Sequence, residues 1–257
     1  MNSYTHRAFK KVAGIIRQGA LFVPQFLLLK KGGNHGVRFN LNWREIKACL
    51  GDATATTGFD RHYVFHVSWA ARVLARTKPK EHIDISSSLY FASCVSAFLP
   101  IHFLDYRPAK LSLSNLQEQA GDICDLPFPS ESVLSLSSMH VVEHIGLGRY
   151  GDPLDYDGDL SACHELKRVL APGGQLLFVV PVGAKSTIMF NAHRIYTYSQ
   201  VVNMFEGLEV EEFSLIPEDP TDGGLVRWPS EELLRKQRYG CGCFLLRKPK
   251  SIPGSNN

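Results

Sequence analysis

Two histidines and a glutamate stand close together in HVVEHIGLGRYGDP, the run from His140 to Pro153. His140, Glu143 and His144 offer two imidazoles for a divalent metal and a carboxylate for a general base. Zinc chemistry at this H-x-x-E-H spacing needs the two histidines one helical turn apart. Here the motif follows VLSLSSM, which reads as a strand, and Gly146 and Gly148 would stop a helix within a turn. No third ligand stands at a matching offset. His140 is therefore expected at the mouth of a strand, and no metal is expected. His62 and His66 form a second i, i+4 pair, read as one packed histidine and one near a pocket. Beyond the motif, IGLGRYGDPLDYDG is rich in polar groups and poor in core residues. Arg149, Tyr150 and Asp152 could hold a polar substrate there, or Arg149 could pair with Asp152 or Asp155 as a structural knot.

These side chains need a scaffold, and the chain reads as alternating strands and helices. Asp60 can cap a helix to Thr77, with Tyr63, Val67, Ala70 and Leu74 at helical spacing. Strands are expected at 82–85, 101–105, near 117–121, and at 133–138, 175–182, 208–216 and 240–247. Helices fall between them at about 89–97, at 160–170, and from a Thr197/Gln200 capping box to Glu206. Ala171 to Gly174 reads as a helix stop. QLLFVVPV, a near-continuous apolar run, predicts a strand buried on both faces. This order predicts an α/β fold, a mostly parallel Rossmann-like sheet with an antiparallel last strand and helices on both faces. Ligands in such sheets bind beyond the carboxyl ends of the strands.

Composition narrows the class. In 257 residues, 44% are hydrophobic and 21% charged, which suits one sizeable core. A net charge of +3 gives no nucleic-acid footprint. Six scattered cysteines do not resemble a disulfide framework, and Cys241 and Cys243 are expected on one face of a buried strand. Residues 1–57 read as an irregular N-terminal appendage with helical content, 58–250 as the main domain, and 251–257 as a flexible tail. The appendage holds an uncharged run of twelve residues, Gln18 to Leu29, broken by Pro24 and shorter than the 20 or so that a spanning helix needs. Its basic residues could instead rest weakly on an anionic membrane surface. A cytoplasmic protein is expected, with peripheral contact at the inner membrane as the alternative. Oligomeric state stays open.

The strand-end residues carry a resemblance. GDICDLPFPSESVLSLSSMHVVEHI (121–145) and ELKRVLAPGGQLLFVVP (165–181), in this order, resemble the class I S-adenosylmethionine-dependent methyltransferases over about residues 82–216. HVVEHIGLGRYGDP, PVG (181–183) and NAHRI (191–195) are similar to bacterial methyltransferase-like proteins of unassigned function. The resemblance implies S-adenosylmethionine as cofactor. Asp105 would accept from the ribose hydroxyls, Asp122 from the adenine amino group, and the Ile123 N–H would meet a ring nitrogen. Asp84, Ser86, Ser88 and His140 would flank the methionine portion. One departure stands out. Ser86 and Ser88 replace the family's leading glycines, and Tyr90 after them could fill the pocket.

The expected activity is methyl transfer to a small polar acceptor of sugar or glycan-precursor type. His144 or His193 would be the base, and Arg149, Tyr150, Asp152 and Arg194 would bind the acceptor. A non-catalytic binding or scaffold protein is the alternative, prompted by the serine loop. A nucleotide-sugar enzyme would want a glycine-rich phosphate turn, which the sequence lacks.

Overall fold

The computed structural model describes residues 3–33 and 39–250. The expected tail, 251–257, and Gly36 lie outside them. The chain divides into two compact units, Met1–Phe59 and Asp60–Asn257.

The first unit is irregular over residues 39–59, apart from one 3-10 turn at Trp43–Glu45, but not over residues 3–32. Helix α1 runs unbroken over Ser3–Gly32, with Pro24 inside it. Its part from Val12 to Gly32 spans 21 residues at a mean hydropathy of 1.5, so length and composition suffice to cross a membrane. The twelve-residue reading falls short because the helix continues through Pro24 and the apolar stretch extends N-terminally past Arg17 through Val12–Ile16. Ile16, Leu28 and Leu29 are exposed, while Phe26 is buried with its ring 3.9 Å from that of Trp43.

The second unit opens on the expected helix. Asp60 Oδ1 accepts from Tyr63 N and starts α2, Arg61–Thr77, and Lys78 ends it in a left-handed conformation. Strand β1 (His82–Ile85), α3 (Leu89–Val95), β2 (Ile101–Asp105), β3 (Leu116–Ala120) and β4 (Val133–Met139) follow. Then come α4 (Gly158–Val169) and β5 (Leu170–Val182). Ala171 to Gly174 thus lies within the strand, because Leu170 already pairs with Val133 ahead of a register shift. A hairpin of β6 (Thr187–Met189) and β7 (His193–Ile195) escapes the sequence reading. Its strands are three residues long, too short to show periodicity. Thr197 and Gln200 form the expected capping box on α5, Tyr198–Met204. Strand β8 (Glu209–Ile216), a short edge strand β9 (Val226–Arg227), α6 (Glu231–Lys236) and β10 (Gly240–Arg247) complete the unit.

The sheet order is β3-β2-β1-β4-β5-β10-β8-β9. Strands β1 to β5 pair in parallel, and β10 inserts antiparallel between β5 and β8. Strand β5 is covered on both faces, as its apolar run requires. Leu176, Phe178 and Val180 pack with α4 and α5 residues such as Leu166 and Val201, whereas Leu177 and Val179 pack with Trp69, Val73 and Phe91 of α2 and α3. Cys241 and Cys243 both face the second side, as their spacing predicts. The carboxyl ends of β1, β2, β3 and β4 therefore share one edge.

Candidate functional site

A cavity of about 440 Å³ opens at that edge. The chain reverses at the end of each of the first three strands and leaves a polar residue on its wall: Ser86 after β1, Asp105 ending β2 and Asp122 after β3. Ile123, His140, His144, Tyr150 and Asp152 also line it. Of the thirteen residues expected to form the site, these eight come together, and Asp84, Ser88, Arg149, His193 and Arg194 do not reach the lining.

The serine loop keeps the shape that glycine would give. Ser86 has φ 54°, a left-handed conformation. Its N–H and Oγ both donate to Leu104 O, at 2.7 and 3.2 Å, which holds the turn against β2. Ser88 instead sits at the N-cap of α3. Tyr90 is 81% exposed and does not fill the pocket, because helix α3 carries it outward. Asp84 lies under the loop rather than in the cavity. It is fully buried against Ser137 Oγ, and burial pushes its carboxyl up to about 7.

Among the described residues the two wall carboxylates are only half engaged. Asp105 Oδ1 accepts from Arg107 N at 2.7 Å, and Asp122 Oδ1 accepts from Cys124 N at 2.8 Å. Each keeps one oxygen for a ligand. Tyr106 and Arg107 join the wall, and the Arg107 guanidinium lies 5.0 Å from the Tyr150 ring centroid. Both follow Asp105 directly, so the strand-end rule could have found them.

The H-x-x-E-H motif comes apart at the strand's mouth, as its context predicts. His140 has φ 59° and ends β4, and Val142–His144 make one 3-10 turn. His140 Nδ1 meets Glu143 Oε1 at 2.7 Å, and Glu143 is 1% exposed. His144 Nδ1 donates to Ala192 O at 2.6 Å, and its Nε2 lies 3.9 Å from the same Glu143 oxygen. Burial lowers the His144 imidazole below its usual value, and lowers His140 to about 4. His193 lies on β7, its ring 4.9 Å from that of Tyr239, and its Nε2 is buried with no hydrogen-bond partner among the described residues.

The polar loop is a knot, but not the one expected. Arg149 donates to Ala192 O at 3.1 Å rather than to Asp152 or Asp155. The Asp152 carboxylate accepts from the backbone N–H groups of Gly146, Gly148 and Tyr150, at 2.8, 3.3 and 3.1 Å. Gly146 has φ 77°, and a Cβ there would lie 2.1 Å from Asp155 O, so only glycine closes the loop. Arg194 corrects the expectation most clearly. It is 4% exposed, and its guanidinium donates to Ile145 O, Asp155 O and Tyr156 O at 2.6, 3.2 and 2.9 Å. Three of its five N–H donors fasten the loop, and its Nε faces Asp159 Oδ1 at 3.5 Å, so the buried side chain serves the loop rather than the cavity.

Comparison with solved structures identifies the architecture. N-methyltransferase NodS from Bradyrhizobium japonicum WM9, solved in complex with S-adenosyl-l-homocysteine, aligns with a TM-score of 0.52 at 15% identity, covering 74% of this chain and 88% of its own. The second unit has the Rossmann-like methyltransferase fold. A putative sarcosine dimethylglycine methyltransferase from Galdieria sulphuraria gives a TM-score of 0.52 at 16% identity, covering 74% and 87%. The [4+2]-cyclase SpnF gives 0.51 at 14%, covering 72% and 81%, so the likeness fixes the fold and not the reaction. The family described as "Caenorhabditis protein of unknown function, DUF268" matches residues 130–248, less than half of the chain. No curated protein matches it.

NodS, a protein of this fold, is solved with S-adenosyl-l-homocysteine, and the cavity here presents groups whose chemistry could meet such a ligand. Ser86 supplies the left-handed turn, Asp105 and Asp122 each offer a free carboxylate oxygen at adjacent strand ends, and the Ile123 segment lies on the same wall.

Proposed function

We propose that the protein is an S-adenosylmethionine-dependent methyltransferase acting on a small polar acceptor. The supporting observation is the convergence of Ser86, Asp105, Asp122 and His144 on one cavity at the strand ends. Asp105 holds the ribose hydroxyls, Asp122 and the Ile123 N–H hold the adenine, and Ser86 and His140 bound the methionine end. The bound cofactor supplies an activated methyl group on a sulfonium. The chain's part is alignment of the acceptor and handling of its proton.

His144 is the proposed base. A carbonyl can only accept, so the bond to Ala192 O places the proton on Nδ1 and leaves a lone pair on Nε2. Its lowered pKa keeps that nitrogen neutral at pH 7. His193, set back from the lining, is a positioning residue in this reading. Arg107, Tyr150 and Arg149 form a cation–aromatic stack beside the cavity, and it suits a hydroxyl-bearing acceptor of sugar or glycan-precursor type. Arg107 and Tyr150 meet that acceptor, whereas Arg149 backs the Tyr150 ring from outside the lining and Asp152 shapes the wall. Calorimetric titration with S-adenosylmethionine and S-adenosylhomocysteine tests the reading, and absence of binding would favour a scaffold on the same fold.

We further propose that α1 associates with a membrane, on the strength of the apolar, mostly exposed segment Val12–Gly32 and its terminal Lys30 and Lys31.

A further inference from the structure

His140 has partners beyond the proposed methyl-transfer site. Its Nε2 lies 3.4 Å from Cys241 Sγ. His62, in the first turn of α2, stacks on it with ring centroids 5.5 Å apart. The ligand atoms of His62, His140 and Cys241 all lie within 4.8 Å of one another. We infer that these three side chains form a binding site for a borderline-soft divalent cation, zinc by preference.

The donor set decides the class of ion. Two imidazoles and one thiolate suit zinc, and hard oxygen-seeking ions such as magnesium and calcium avoid them. Tetrahedral zinc, with bonds of about 2.0–2.3 Å to nitrogen and sulfur, sets neighbouring ligand atoms about 3.5 Å apart. The spacing of His140 Nε2 and Cys241 Sγ, 3.4 Å, already matches. His62 must turn, because the nearly parallel rings, 9° apart, cannot both aim an edge nitrogen at one point. It is only partly buried, which leaves it room to do so.

Two further features are those of a metal site. His140 Nδ1–H donates to Glu143 Oε1, which fixes the ring with the Nε2 lone pair toward Cys241. Carboxylate–histidine–metal triads are built this way. The other Glu143 oxygen is buried with no hydrogen-bond partner among the described residues, and a nearby cation would offset the cost of that charge. His66, one turn along α2, donates Nδ1 to His62 O, and its fully buried Nε2 also lacks a hydrogen-bond partner among the described residues. Its ring centroid is 5.0 Å from that of His140, which makes it a candidate for a fourth position. The sequence concealed the site, because its ligands come from the start of α2, the end of β4 and the start of β10.

The site stands or falls apart from the proposed methyl transfer, since its test reads the metal itself. The purified full chain is titrated with cobalt(II) and followed by absorption. The expected result is one cobalt per chain, with intense tetrahedral d–d bands and a thiolate-to-cobalt charge-transfer band. Zinc displaces the cobalt. Cys241→Ser abolishes the charge-transfer band. His62→Ala weakens binding at least tenfold, and Glu143→Gln weakens it about 10–100-fold, as loss of an outer-shell partner does. His164→Ala, at an exposed position on α4, changes nothing. Circular dichroism checks each variant's fold. If Cys241→Ser does not fold, His62→Ala decides alone, because it removes a partly exposed side chain. A wild type with no charge-transfer band overturns the site. So does cobalt or zinc binding that His62→Ala leaves unchanged, which would mean adventitious binding only.

Discussion

His144 donates Nδ1–H to the Ala192 carbonyl at 2.6 Å, and this one bond settles which nitrogen can take a proton. Ala192 sits in the β6–β7 hairpin, so the hairpin orients the proposed base. His144→Ala is expected to lower turnover by about 10²–10⁴-fold and to leave S-adenosylhomocysteine affinity nearly unchanged. Burial lowers the imidazole pKa, so the rate should hold level through neutrality and fall only on the acid side of the usual histidine range. Initial rates against pH, with an acceptor found by screening sugars and small metabolites, check both points. Equal turnover in the variant would remove His144 from the chemistry.

Asp84 predicts a pH-dependent stability. Burial raises its carboxyl from 3.8 to about 7, so between those values the folded state binds a proton that the unfolded state has released. Its contribution is complete below the unfolded pKa and is lost as pH rises through the folded one. Asp84→Asn removes the dependence. The stability of wild type minus that of the variant should therefore fall between about pH 4 and pH 7, with a slope approaching 1.4 kcal/mol per pH unit. Urea unfolding at several pH values measures it, and a flat difference would show that Asp84 stays ionised.

Arg194 predicts a loop defect. Arg194→Ala strands three carbonyls and the buried Asp159 carboxylate, whose Oδ1 lies 3.5 Å from Arg194 Nε. The expected loss is about 2–4 kcal/mol, with new proteolytic cleavage within residues 145–157. Arg194→Lys should recover only part, since an ammonium cannot span the same three acceptors. Full stability in Arg194→Ala would refute the fastening role.

Helix α1 predicts where the protein is found. On cell fractionation the full chain should sediment with membranes, and a chain beginning at residue 58 should not. Equal distribution of the two would exclude α1 as the anchor.

Much of the fold was legible because strong local patterns specify it. HIDI, IHFLD and GCGCFLLR gave β1, β2 and β10 to the residue, and Asp60 and Thr197 announced their helices by capping chemistry. What local pattern does not encode went unseen. The β6–β7 hairpin is short and half-exposed, and α1 continues through a proline. The site divides in the same way. Asp105 and Asp122 were readable because strand ends mark a ligand edge in parallel sheets. Arg194, Glu143 and Cys241 act through partners 39, 3 and 101 residues away, and two of those separations lie beyond any local window.

The most direct measurement is calorimetric titration of the folded full chain with S-adenosylhomocysteine. The account predicts saturable one-to-one binding. Asp105→Ala should weaken it by about 1–3 kcal/mol, the scale for losing hydrogen bonds to a charged group. No detectable heat at millimolar ligand, or identical binding by Asp105→Ala, would contradict the assignment of the cavity to this cofactor.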